Sequence, residues 1–207
     1  MSPRPAQPPE QAEAKKFAII QATLDAIVAK GPAAVRLGDV AKAVGMSIGT
    51  VQYYFESRDE LLAQSFSFHT ATVLLHLEEM AKPGADLRRS SARSRLDNAF
   101  AAVHGVGMHE QRSRIWIELV TAARTDDGLQ NCVDAVFAGW RKLFRTIVDY
   151  GLERYEFSLF DLTAAEVVDT FIAIIDGFDL ATVAGHGPQP ETMTRILSET
   201  ADRLLDG

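Results

Sequence analysis

The sequence predicts an all-α fold, a small N-terminal helix-turn-helix unit followed by a larger helical body. Three observations carry that expectation. Apolar residues recur at intervals of three and four along most of the 207 residues, and no stretch keeps the period of two that a half-buried strand needs. Glycine, proline and capping residues divide the chain at helix-length intervals. Near the N-terminus, two short periodic segments flank a three-residue break, Gly45-Met46-Ser47, which is helix-turn-helix spacing.

Composition sets outer limits. Hydrophobic content of 47% and charged content of 24% are ordinary for a globular chain. No apolar run approaches the roughly 20 residues needed to span a bilayer. Met1 to Pro9 is proline-rich and lacks the apolar core of a signal peptide. No membrane partner is therefore expected, and the location is expected to be cytoplasmic. A single cysteine, Cys132, rules out an intramolecular disulfide and fits a reducing compartment. The net charge of −7 is unevenly placed: residues 1–62 carry seven Lys/Arg and seven Asp/Glu, and residues 63–207 carry fourteen against twenty-one. A neutral end with local cations on an acidic body suits a protein that touches nucleic acid with that end only.

The elements follow in order. Residues 1–11 are read as a disordered tail, with four prolines and little apolar surface. Helix 1 spans about Ala12 to Lys30, with Phe17, Ile20, Leu24, Ile27 and Val28 on one face, and Gly31-Pro32 stops it. Helix 2, about Leu37 to Val44, aligns Leu37, Val40, Ala41 and Val44. Gly45 sits where a left-handed residue ends that helix, and Ser47 sits where an N-cap begins the next. Helix 3, about Ile48 to Tyr54, continues an apolar face through Ile48, Val51 and Phe55. Ser57-x-x-Glu60 has the form of a capping box for helix 4, whose stripe is Leu62, Phe66, His69, Val73, Leu77 and Met80. The Lys82-Pro83-Gly84 break ends it. Three more helices are expected at about Asp86–Val106, Glu110–Arg124 and Leu129–Tyr150, the last with Val133, Val136, Phe137, Trp140, Phe144 and Ile147 at helical spacing. After a connector from Glu153 to Asp161, Thr163-x-x-Glu166 offers a second capping box. The following helix, about Ala164 to Ala184, is apolar nearly all round. The run Gly185-His186-Gly187-Pro188-Gln189-Pro190 separates it from a last helix, about Glu191 to Leu205. The expected division is 12–58 for the helix-turn-helix domain and 59–207 for the rest.

The run from Gly45 to Leu62, Gly-Met-Ser-Ile-Gly-Thr-Val-Gln-Tyr-Tyr-Phe-Glu-Ser-Arg-Asp-Glu-Leu-Leu, is specific enough to suggest a family. It resembles the signature of the TetR (tetracycline-repressor-like) bacterial transcription regulators, roughly G-V-S-x-G-T-[LIV]-Y-x-Y-F-x-[SN]-[KR]-[DE]-x-L-[LIV]. The resemblance implies a DNA-binding domain whose third helix enters the major groove, with Arg36, Ser47, Ile48, Gly49, Thr50, Gln52, Tyr53, Tyr54 and Arg58 as DNA-binding candidates. Gly49 lets backbone approach closely, Thr50 offers a hydroxyl, and amides behind Ser47 face phosphate at a positive helix end. Tyr54 and Arg58 fall where the family places phosphate contacts. Two positions depart from the pattern. Gln52 replaces the signature's first tyrosine, and can pair with adenine or bond a phosphate. Arg36 stands where many members have Thr or Ser, exchanging a hydroxyl cap for a cation.

The resemblance also implies a homodimer on a palindromic double-stranded operator, with reading heads about 34 Å apart. A helix apolar on both faces needs a partner for one of them. Val167, Phe171, Ile174, Ile175, Phe178, Met193, Ile196 and Leu197 are the expected dimer interface, a four-helix bundle across a two-fold axis. Between the two ends, helices from about 86 to 150 resemble the variable effector-binding region. His104, Met108, Trp116, Glu118, Phe137, Trp140 and Phe144 are its candidate lining, since aromatic and Met surface with a few polar groups suits a small molecule. The Arg88-Arg89…Arg93-x-Arg95 cluster reads as a solvated face or a guide for an anionic ligand.

Enzyme readings find little support. His104 and His109 stand five apart and share a face poorly, and no His-Glu-x-x-His run occurs. His69 and His76 are two turns apart, with no further ligand between them. Cys132 has no identifiable base and reads as a buried thiol. No catalytic residue, metal or cofactor is expected. The function expected is transcription regulation, most simply repression relieved by a small-molecule effector. The alternative is a ligand-binding or interaction protein of the same fold without operator binding.

Overall fold

The computed structural model describes residues 9–81, 91–103 and 109–205. Expectations for residues 1–8, the Lys82-Pro83-Gly84 break, Arg88, Arg89, His104, Gly105, Gly107 and Met108 lie outside the described residues. Among those described, the helices are α1 (Pro9–Lys30), α2 (Leu37–Ala43), α3 (Ile48–Tyr54), α4 (Arg58–Ala81), α5 (Ala92–Val103), α6 (His109–Ala123), α7 (Asp127–Glu153), α8 (Ala164–Val183) and α9 (Pro190–Leu205), with no strand. The all-α expectation holds. Helix 1 begins earlier than expected, so Pro9 to Gln11 belong to it rather than to a tail. Proline at the first turn costs nothing there, because its missing N–H has no intrahelical acceptor.

The chain forms two compact units that divide between His69 and Thr70, inside α4. In the first, α1 packs on α2 and on a single 3-10 turn, Pro32–Ala34, and α2 packs on α3. The core is Ile19, Ile20, Leu24, Ile27, Val35, Val40, Ala41, Val51, Phe55, Leu61 and Phe66. Phe17 departs from the expected face. It remains 52% exposed and meets Phe68 edge-on at 5.5 Å, while Ile19 takes the buried position.

In the second unit α7 is central, packing against α5, α6 and α8. Gly139 of α7 lets α4 approach: a Cβ there would fall 2.7 Å from Leu74 Cδ2. Phe100, Phe144 and Phe171 meet in the middle, with Trp140 stacked on Phe144 at 5.5 Å. Gly151 is enclosed by the Phe157 ring and Ala92, so α5, α7 and the connector close over a position with no side chain. The second capping box read from sequence forms, and α7 has a cap that the sequence reading did not name. Asp126 accepts from Leu129 N–H at 3.1 Å, and Thr163 with Glu166 makes a full capping box. At α4 the box is altered: Ser57 Oγ caps Glu60 N–H, but the Glu60 carboxylate accepts from Glu56 N–H, one residue earlier than the usual partner.

Candidate nucleic-acid interface and effector site

The turn between α2 and α3 is built by two residues. Gly45 has φ 66°, left-handed backbone that a side chain disfavours, and its Cβ position meets nothing within 4 Å. Conformation, not crowding, selects glycine there. Ser47 has extended backbone, and its Oγ accepts from Thr50 N–H at 3.1 Å. Thr50 Oγ1 lies 2.9 Å from the same Ser47 oxygen, so the two hydroxyls are tied to each other.

Burial decides which side of α3 faces outward. Val51 and Phe55 are fully buried. Ile48 is half exposed, contrary to its expected place on the apolar face, and Gly49 and Gln52 are exposed beside it. Tyr53 is 82% exposed, whereas Thr50 and Tyr54 are half-buried, with Tyr54 edge-on to Tyr53 at 5.2 Å. The helix Ile48-Gly49-Thr50-Val51-Gln52-Tyr53-Tyr54 contains no charged residue. Cations lie on α2 instead: Arg36 at its N-cap, making no capping bond, and Lys42 in its last turn, both exposed. Lys30 is hydrogen-bonded to Asp39 and holds that carboxylate below its usual range, with weaker help from Arg36 and Lys42.

Arg58 is hydrogen-bonded within the protein and keeps about a third of its side chain exposed. Its Nε donates to Val35 O at 2.9 Å and Nη2 to Pro32 O at 2.6 Å, while Nη1 meets Asp59 Oδ1 at 2.8 Å. A guanidinium with each nitrogen engaged inside the protein holds the 31–35 turn onto the start of α4.

A second polar cluster lies between α6 and α8. Asp179, 1% exposed, receives two bonds from Arg112, at 2.6 and 3.1 Å, and one from Ser113 Oγ at 2.8 Å. One turn earlier, Asp176 Oδ1 accepts from Trp116 Nε1 at 3.1 Å. Burial pushes the Asp176 carboxyl up to about 6, and repulsion from Asp179 adds to the rise; the Trp116 bond and Arg112 oppose it. His109 Nε2 lies 3.0 Å from Thr182 Oγ1, and burial, reinforced by Arg112, lowers its pKa. Trp116 also meets Phe137 edge-on at 5.5 Å.

The structure thus sorts the expected effector residues. Trp116 and Phe137 meet beside the polar cluster, and Glu118 is half-buried on the same helix as Trp116. Phe144 is 0% exposed among aromatic rings, and Trp140 stacks on it. Sequence reading missed Arg112, Ser113, Asp176 and Asp179. A signal was present: of the three aspartates in the most apolar helix, Asp176 and Asp179 lie among apolar residues, where a carboxylate needs partners.

The comparisons match this geometry. Residues 19–64, which span the helix-turn-helix, match the model described as bacterial regulatory proteins, tetR family. Residues 87–206 match the model described as BetI-type transcriptional repressor, C-terminal. The chain belongs to the TetR family of transcription regulators. No curated protein matches the chain. Solved structures share the fold of this TetR-family regulator at low identity. A candidate transcriptional regulator from Saccharomonospora viridis, in complex with choline, is 19% identical with a TM-score of 0.80, covering 93% of this chain and 98% of that one. A TetR transcription regulator from Haloarcula marismortui is 21% identical, with a TM-score of 0.78 and coverage of 93% and 99%. A TetR-family regulator from Cytophaga hutchinsonii is 16% identical, with a TM-score of 0.74 and coverage of 97% and 100%. Among the described residues, no helix is long and apolar enough to cross a membrane.

The residues expected at a TetR-family dimer face divide in two. Val167, Phe171, Ile175, Met193 and Leu197 are buried within the protomer, at 3% exposure or less. A side chain with no exposed surface cannot contribute area to an interface, so these five belong to the core. Ile174, Phe178 and Ile196 stay half-buried at the surface, and Leu180, which was not expected there, is 59% exposed.

Proposed function

We propose that this TetR-family regulator is a cytoplasmic homodimeric repressor, not an enzyme, that binds a palindromic operator and leaves it when a small molecule binds. Residues 12–58 are the DNA-binding domain and 59–207 the effector-binding and dimerisation domain. The observation that supports operator binding best is the outward set on α3: Ile48, Gly49, Gln52 and Tyr53 exposed together on a helix held by a capped glycine turn. Ser47, Thr50 and Tyr54 flank that set as phosphate donors, and Arg36 supplies a cation beside it. The test is selection from a randomised duplex library, followed by gel-shift titration of Thr50→Ala/Tyr54→Phe on the enriched sequence. The double variant should bind at least about tenfold more weakly with unchanged far-ultraviolet circular dichroism. Full retained affinity overturns the assignment.

The effector we infer is a small organic cation. Asp176 places a poorly solvated carboxylate beside Trp116, whose ring meets Phe137, and aromatic faces with an acid favour a desolvated ammonium. The choline in the Saccharomonospora viridis structure supports the same class. A thermal-shift titration with choline and tetramethylammonium should raise the melting temperature, and Asp176→Asn should abolish the rise. A shift produced equally by a neutral isostere refutes the class.

A further inference from the structure

The outward face of α3 carries few chemistries, and that limits what it can read. A guanine is held bidentately by arginine or lysine, and a cytosine amino group by an acidic side chain. The helix has none of these; its charge-free sequence exposes one amide, Gln52, the apolar surface of Ile48, and the ring and hydroxyl of Tyr53. Ile48 and Gln52 are four apart, so they sit one above the other on a single face. The hydroxyls suited to phosphate are elsewhere: Thr50 is tied to Ser47 at the helix start, and Tyr54 is half-buried towards its end. Arg58, the cation just beyond the helix, is hydrogen-bonded to Val35, Pro32 and Asp59.

Resting on the proposed docking of α3 in the major groove, we propose that Gln52 is the specificity-determining residue of this regulator. Its amide reads one adenine through N6 and N7, with Ile48 against the methyl group of a neighbouring thymine. The half-site beneath α3 is therefore built on adjacent A·T pairs. An amide donates to N7 and accepts from N6–H together, which no other base edge in the major groove matches. A branched apolar side chain gains only where a methyl group meets it. The residue that departs from the family pattern thus carries the readout.

The experiment is parallel selection with the full-length chain, Gln52→Ala and Gln52→Arg, followed by binding titrations on the enriched duplexes. The wild type should enrich A·T pairs at the positions that respond to residue 52. Gln52→Ala should lose about tenfold discrimination at one adenine, leaving the rest of the motif in place, and Gln52→Arg should prefer guanine there. Replacing the neighbouring thymine with deoxyuridine removes only the methyl group and should weaken the wild type more than Ile48→Ala. Uniform weakening of Gln52→Ala on every sequence, with an unchanged motif, makes Gln52 a phosphate contact and overturns the proposal. So does a wild-type motif of G·C pairs, which decides the matter even if a variant does not fold. Enrichment of no sequence by any of the proteins overturns operator binding itself, a separate failure.

Discussion

Asp176 shows how one residue's surroundings set two observable properties. Its folded pKa, raised from 3.8 to about 6, means the folded chain holds the proton more tightly than the unfolded one does. Stability from this group is therefore greatest below the unfolded value, declines as pH rises between the two values, and is level above about 6. Asp176→Asn keeps an acceptor for Trp116 and removes the charge, so the decline should vanish. Thermal melts at neutral pH should show the variant more stable by about 1 kcal/mol, a figure reduced for partial contact with water. Over the same interval the affinity for a cationic effector should rise with pH, because only the carboxylate attracts it. Melts with identical pH profiles for both proteins refute the assignment. Gln52 and Arg58 teach the converse. Both were named from a motif alone, but a motif does not show that one side chain is exposed and the other committed to two carbonyls.

Helices are the part of this protein most legible in its sequence. Period, capping residues and breakers each depend on neighbours within a turn or two, so Ser47 and Thr163 marked helix starts before any tertiary contact was considered. Which face of a helix is buried depends on what packs against it, and there the reading slipped. Phe17 was placed inward and lies half exposed, and Ile48, read both as apolar face and as a DNA contact, lies half exposed too. On α8, six buried apolar positions leave only part of one side outward. The α6–α8 contact rests on the Arg112–Asp179 pair as well as on apolar packing. Asp179→Ala strands the guanidinium and should cost about 3–5 kcal/mol, read as a lower denaturation midpoint. The Arg112→Met/Asp179→Leu double variant should recover most of that loss. A cost below about 1 kcal/mol for Asp179→Ala would show the pair to be solvated in solution.

The proposed dimer is where the whole chain matters. Leu180 is exposed in the protomer, so Leu180→Glu leaves the core untouched while placing charge on the proposed interface. Sedimentation of Leu180→Glu, alone or with Ile196→Glu, should show a monomer at micromolar concentration with an unchanged circular dichroism spectrum. A persistent dimer removes α8 and α9 from the interface. The uneven charge has a consequence at the same level. With the acidic excess confined to residues 63–207, operator affinity should fall steeply with salt despite the net charge of −7. The amino-acid sequence by itself determined the helical class, the element order, the turn chemistry at Gly45 and Ser47, and the family, because those rest on local periodicity and an eighteen-residue motif. Only the tertiary structure decided which apolar residues are core and which remain at the surface. It also paired Arg112 with Asp179 and Trp116 with Asp176, and tied Arg58 to two backbone carbonyls. Those outcomes depend on residues tens of positions apart becoming neighbours, and local periodicity carries no record of who a residue's distant neighbours will be.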